Sequence, residues 1–227
     1  MGEFLKVRLL AYTPDAETLC AAAGHSCYSS KSAGDILDKI SKEECKEKLE
    51  KIIGLGHLSV IEHASFTFSL EGVSRVLTHQ LVRHRIASFS QQSQRYVVLE
   101  KPDYVVPDKI KSNEECEKIY KKTMENIWKA YNKLISLGIN AEDARYLLPN
   151  ATKTNIVVTM NARELMHFFR LRTCNRAQWE TREAANLMLK EVKRIAPNIF
   201  GKAGPPCEVG PCPEGKKSCG RDKGKKI

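Results

Sequence analysis

The chain has 227 residues, 42% hydrophobic and 28% charged, enough for one substantial core without a disulfide or metal staple. No apolar run approaches the roughly 18 residues of a membrane span, and the start, MGEFLKVRLLAYT, carries an acid at Glu3 and lacks a signal-peptide core, so a soluble cytoplasmic protein is expected. The formal charge of +10 points to anionic partners; residues 201–227 hold +4 of it and the body a moderate +6, which admits a phosphate-bearing ligand or nucleic acid without choosing between them.

Residues 3–12 read as a strand and Pro14 to Ala23 as a short helix. Ser41 with Glu44 three residues on forms a capping box for a helix that stops at Gly54. ASFTFSL alternates, with Phe66 and Phe68 on one face and Ser65, Thr67 and Ser69 on the other, as a half-buried strand should. Helical spacing resumes from Val73 through Val76, Leu77, Leu81 and Val82 up to Arg83. QRYVVLE reads as a second extended piece ending at Pro102.

Ser112 with Glu115 repeats the capping-box pattern and opens a long helix carrying Ile119, Met124, Ile127, Tyr131, Leu134 and Ile135 to a stop at Gly138. A shorter helix from Asn140 to about Leu148, the β-branched strand TNIVVTM, a helix opened by Asn161 with Glu164, and a last helix from near Ala177 to Ala196 follow. Residues 201–227 then hold six of the thirteen glycines, four of the nine prolines and no aromatic, and read as an appended tail. Strands without regular βαβ alternation predict an α+β fold, a single domain over 1–200 with helices around an antiparallel sheet. Cys20, Cys27, Cys45, Cys116 and Cys174 are scattered singly and read as reduced thiols.

The densest chemistry lies in THQLVRHRIASFSQQSQRY, residues 78–96, where His79, Arg83, His84, Arg85 and Arg95 stand among serines and glutamines. If 73–85 is helical, Gln80, Arg83 and His84 share a face and Arg85 points elsewhere, implying two binding directions. A solvated basic helix end is the plainer explanation of the triplet alone. The following Ser88, Ser90, Gln91, Gln92, Ser93, Gln94 and Arg95 supply neutral and charged donors suited to a nucleotide's phosphate and ribose. Neither a P-loop nor a Rossmann glycine pattern is present, so side chains would hold the nucleotide.

Arg83-His84-Arg85, seven residues, Ser93, one residue and Arg95 resembles the signature of flavin-dependent thymidylate synthases. The similarity extends to AGHSCYSS near Cys27, to GHLSVIEH with His57, Glu62 and His63, and downstream to DARYLLP, MNARELMHFF and LRTCNRAQWE, over roughly residues 20–200 in the family's order. Gln91 stands where some members carry an acid, and Cys27 where serine occurs. The resemblance implies reductive methylation of dUMP to dTMP with methylenetetrahydrofolate as carbon donor and NADPH-reduced FAD, in a homotetramer whose sites are shared between subunits.

Carried onto this sequence, it implies Arg172 as the catalytic group against the uracil ring, with Gln80, Leu81, Val82, Arg83, Gln91, Gln92, Ser93, Gln94, Arg95 and Arg145 holding the rest of dUMP. His57, Ser59, Arg83, His84, Arg85, Gln91, Asn161, Ala162, Arg163 and His167 would contact FAD. Asn161 at a helix start independently favours an anion, and Arg163, His167 and Arg170 share one helical face. Cys174, the one cysteine close to a proposed substrate arginine, reads as a structural or incidental thiol, and Ser93 as a binding or packing group, since no base is placed for it as a nucleophile. In the tail, Cys207, Cys212 and Cys219 offer three thiols where a structural zinc normally takes four ligands, so no metal is expected unless a neighbouring subunit completes the set. Two competing classes are a basic nucleic-acid-binding module, against which stands the lack of a known motif or aromatic-studded stripe, and a different nucleotide-binding flavoprotein on the same fold.

Overall fold

The computed structural model describes residues 5–221; Glu3 and Phe4 of the predicted first strand, and the basic end of the tail beyond Arg221, lie outside the described residues. Four strands, β1 (Lys6–Tyr12), β2 (Ser65–Ser74), β3 (Ala87–Gln91) and β4 (Lys153–Asn161), form an antiparallel sheet in the order β1-β2-β4-β3. Phe66, Phe68 and Leu70 of β2 lie opposite Met160, Val158 and Ile156 of β4, and all six are buried. Ser65, Thr67 and Ser69 take the opposite, partly exposed face, as the alternation predicts.

The principal helices are α1 (Ala16–Ser26), α2 (Lys42–Gly54), α3 (Arg75–Leu81), α4 (Glu114–Ser136), α5 (Ala162–Arg172) and α6 (Trp179–Ile195). Leu165, Phe168 and Phe169 of α5 and Ala184, Ala185, Met188 and Val192 of α6 share one core with the sheet's apolar face. Phe200 meets Phe66 and Phe169 edge-on, at ring-centroid distances of 5.4 and 6.1 Å. α1 packs on α2, where Gly24 admits the close approach of Ile52; a Cβ there would stand 2.6 Å from Ile52 Cδ1. The fold class is the expected α+β, and no described helix is long and apolar enough to cross a membrane.

The Ser41–Glu44 capping box is present in full, with bonds of 3.2 and 3.0 Å. Four boundaries differ from expectation. The helix expected over 73–85 runs only from Arg75 to Leu81, because Val73 and Ser74 still pair with Thr154 and Lys153 of β4. Past Leu81 the chain closes in a tight turn, where the N–H groups of Arg83 and His84 donate to the carbonyls of Gln80 and Leu81. QRYVVLE is not a strand; the strand is ASFSQ before it. Trp128 Nε1 and Asn132 Nδ2 of α4 donate to the carbonyls of Leu99 and Glu100, and the Tyr131 hydroxyl accepts from Leu99 N–H, so side chains replace a ladder. The long helix is capped by Asn113, which accepts from Cys116 N–H at 3.0 Å, while Ser112 ends a preceding turn over Asp108–Lys111. The helix expected over 140–148 is one turn, Ala141–Ala144, followed by the 3-10 turn Arg145–Leu147.

Candidate active site

The end of α3, the turn after it and both ends of α5 meet at Arg172, the last residue of α5. Its Nε donates to His84 Nε2 at 3.1 Å, its Nη1 to Gln80 Oε1 at 3.2 Å and its Nη2 to the Gln80 carbonyl at 3.3 Å. Behind it, Glu164 Oε1 lies 2.9 Å from His84 Nδ1, with both side chains buried. Glu164 is itself fixed by the helix start, its N–H donating to the cap oxygen of Asn161 at 2.9 Å. An Arg Nε can only donate, so His84 Nε2 must be the bare, accepting nitrogen and the Nδ1 proton faces the carboxylate. Burial is the first cause holding His84 below the ordinary imidazole range, with Glu164 opposing and Arg172 reinforcing it. Partial burial likewise lowers Arg172 from the ordinary guanidinium range. Three of its five N–H donors are engaged, leaving two for a ligand.

A second basic group stands at the other end of α3. Arg75 donates to Gln94 Oε1 at 3.2 Å, and its pKa is lowered by burial first and then by the charge of Arg145. Glu142 gathers the other two guanidiniums: Arg95 Nε lies 2.9 Å from its Oε1, and Arg145 Nε donates to its carbonyl at 2.9 Å. Ser93 Oγ accepts from Arg95 N–H at 3.1 Å, which sets the loop's turn. Gln91 Nε2 donates to Thr78 Oγ1 at 3.1 Å, so this side chain is committed to the body. Gln92 is half-buried and ties to β4 through its N–H on the Asn155 carbonyl, Val82 is exposed, and Leu81 is buried in the core, leaving only its backbone for a ligand.

The third element is an open cleft of about 790 Å³ over α5, within the range of small-molecule sites. Asn161, Arg163, Glu164, His167 and Arg170 line one side, as the shared helical face predicts. Arg163 is spent on Glu62, at 2.5 Å, whereas Arg170 and Lys202 take part in no ion pair among the described residues. The tail walls the other side through Lys202, Ala203, Gly204, Pro206 and Val209. Ala162 is buried, its N–H donating to the Ala64 carbonyl. Arg83 and Arg85 are exposed on the turn whose Ile86 lines the cleft, and Ser59 is exposed on the 3-10 turn Leu58–His63 that contributes Leu58 and Glu62. His57 is not brought to this cleft; it lines a separate cavity of about 380 Å³ with His25, Tyr28 and Lys48.

Arg75 and Glu142 were not expected at the site, and Glu164 was expected only as part of a helix start. Arg75 had a signal, since Arg75, His79 and Arg83 recur every four residues; the two acids had none, because an acid that holds a base in place looks like any surface acid until the contact is seen.

The family model described as thymidylate synthase complementing protein matches residues 8–198. Proteins named flavin-dependent thymidylate synthase are similar over almost the whole chain. That of Geobacter sulfurreducens is 51% identical over 96% of this chain and 94% of its own, that of Clostridium tetani 50% over 96% and 94%, and that of Pyrococcus furiosus 48% over 92% and 90%. Among solved structures, the UMP/dUMP methylase PolB from Streptomyces cacaoi bound with 5-Br dUMP superposes with a TM-score of 0.76 at 23% identity, covering 87% of this chain and 93% of that one. The fold is therefore shared with a nucleotide methylase, and at the level of sequence the chain belongs to the flavin-dependent thymidylate synthase family.

Proposed function

We propose that the chain methylates dUMP reductively to dTMP, taking the carbon from 5,10-methylenetetrahydrofolate and using NADPH as the source of reducing equivalents through FAD. The observation that carries this reading is Arg172, a partly dehydrated guanidinium clamped by His84 and Gln80 with two donors to spare. In this reading Gln80, the backbone of Leu81 and Val82, Arg83, the loop Gln91 to Arg95, Arg145 and, in addition, Arg75 hold dUMP. The phosphate sits among Arg75, Arg95 and Arg145, where a dianion would offset the mutual repulsion of three cations and displace Arg95 from Glu142. Arg172 faces the pyrimidine carbonyl and stabilises the negative charge that builds as C5 becomes nucleophilic. The neutral tautomer of His84 keeps the guanidinium plane from rotating.

The cleft over α5 fits a flavin nucleotide: it opens at the start of an eleven-residue helix, and Arg170 and Lys202 add positive charge that is in no ion pair among the described residues. Asn161, Arg163, His167, Ser59, Arg83 and Arg85 would hold FAD, whereas His84, Ala162 and Gln91, expected to touch it, have their ring nitrogens, N–H and side-chain amide already engaged; when bound, the flavin supplies the hydride. His57 would reach the flavin from another subunit of a homotetramer, since its own chain places it in a different cavity. The curated relatives' names and the neighbour's nucleotide support both ligand classes.

The test is spectroscopic. Purified protein should carry oxidised flavin, and dUMP should perturb the flavin absorption saturably. A colourless protein with steeply salt-dependent affinity for DNA or RNA would replace this reading with nucleic-acid binding. A yellow protein indifferent to dUMP would point to a different flavoprotein.

A further inference from the structure

The tail folds back on the turn after α5, and the contacts fall on either side of one cysteine. Arg221 Nη1 donates to the Thr173 carbonyl at 3.1 Å, Asn175 Nδ2 donates to Cys219 Sγ at 3.6 Å, and Arg176 Nη1 donates to the Lys217 carbonyl at 2.5 Å. Cys174 lies between the first two anchor points. From the other side comes Cys207, buried on the helical turn Pro206–Val209, and both Cys174 and Cys212 stand close enough to act on its thiol electrostatically. Arg221 also pairs with Glu208, next to Cys207. Four of the eight cysteines are thus collected at one place from two segments more than thirty residues apart, and all four are free thiols.

We propose that Cys174, Cys207, Cys212 and Cys219 form a thiolate site for one zinc ion, which pins the tail to the C-terminal end of α5. The fourth ligand missing from the tail's own C-x4-C-x6-C spacing is supplied within the same chain by Cys174. Four thiolates of this softness select zinc or iron over magnesium or calcium, and a closed four-sulfur set leaves no position for substrate, which makes the site structural. No three of these sulfurs lie within 4.8 Å of one another: among the described residues the group of three or more His/Cys/Asp/Glu ligand atoms with that spacing is His84, Glu164 and His167. A zinc tetrahedron with bonds of about 2.3 Å would bring the sulfurs to about 3.8 Å, so uptake draws the tail inward. Because Pro206 and Val209 flank Cys207 and line the large cleft, the ion would also set the position of that cleft's wall.

Metal analysis of the purified, desalted full-length protein tests this. About one zinc per chain is expected, with four thiols becoming reactive to a thiol reagent only on chelation. Cys174→Ser and Cys212→Ser should each lose the metal, whereas Cys116→Ser, an exposed thiol on α4, should keep it. Cobalt substituted into the parent protein should give the thiolate charge-transfer bands of a tetrahedral site, a readout that needs no variant to fold. Protein isolated without zinc that takes up neither zinc nor cobalt, a metal content unchanged in both variants, or an intact mass showing disulfides among the four would each overturn the proposal. The consequence for the cleft rests on the proposed flavin site and is read separately: chelation should weaken FAD binding, and metal retention without that effect would leave the zinc site standing and remove only the coupling.

Discussion

At Arg172 the planar fork is what matters. A lysine at this position could reach one partner but not hold His84, Gln80 and a pyrimidine carbonyl at once, so Arg172→Lys should lower kcat roughly 100-fold or more while flavin remains bound. Near-normal turnover would remove Arg172 from the chemical step. Glu164 acts one contact further back, as a positioning residue. Glu164→Gln keeps the shape but no longer favours the Nδ1 proton, and kcat should fall about tenfold or more, the rate equivalent of one lost charge-assisted hydrogen bond. A pH profile separates this from simple damage. Protonating His84 turns Nε2 into a donor facing Arg172, so activity should fall on the acid side of the ordinary imidazole range. Glu164 raises the His84 pKa against burial, so in Glu164→Gln the acid limb should move to lower pH; an unmoved limb would deny His84 the role. The same depression makes His84's stabilising contribution full above the ordinary imidazole pKa, with stability declining as pH falls toward the folded value. Gln80 and His84 were legible in one dense stretch and Arg172 through the family resemblance; the acidic partner was not, since Glu164 lies eighty residues from His84.

Among elements, α3 carries Arg75 at one end and Gln80 at the other, so its start sets both binding directions. Ser74 Oγ accepts from Leu77 N–H at 3.1 Å, and the Ser74 N–H and hydroxyl meet the buried carboxyl of Glu180 from α6 at 2.7 and 2.5 Å. Burial is the first cause pushing that carboxyl above the usual range, and the two Ser74 contacts oppose it. Ser74→Ala should cost roughly 2–4 kcal/mol, from a lost cap and a buried carboxyl that keeps the backbone N–H of residue 74 but loses the hydroxyl, read as a shifted denaturation midpoint. A change below about 0.5 kcal/mol, the level of an ordinary surface substitution, would show that the junction is held by apolar packing alone. The period-two and cap signals that worked, in β2 and at Ser41 and Asn161, are local. The cap expected at Ser112 failed locally, because its neighbour Asn113 takes it; two other misses depended on a distant partner: α3 starts late because β4 continues to pair with Val73 and Ser74, and polar ASFSQ is a strand because β4 lends it a ladder.

Across the whole molecule, one chain assembles the Arg172 cluster and the basic group at Arg75 but leaves His57 in a different cavity from Arg163. If the proposed homotetramer shares its sites, mixing two separately inactive variants, Arg172→Lys and His57→Ala, should restore turnover by forming sites with both native groups. Mixtures that stay inactive after subunit exchange would place the whole site in one chain. Motif order made the family readable from sequence, where net charge did not choose between a phosphate-bearing ligand and nucleic acid, while the tail's place beside the cleft and against Cys174 appears only in three dimensions. The most direct test of the central claim is dTMP formation from dUMP by the purified protein, with methylenetetrahydrofolate, NADPH and FAD each omitted in turn. Product that requires all three is expected; product formed without flavin or NADPH would contradict the account and return the chemistry to a cysteine nucleophile.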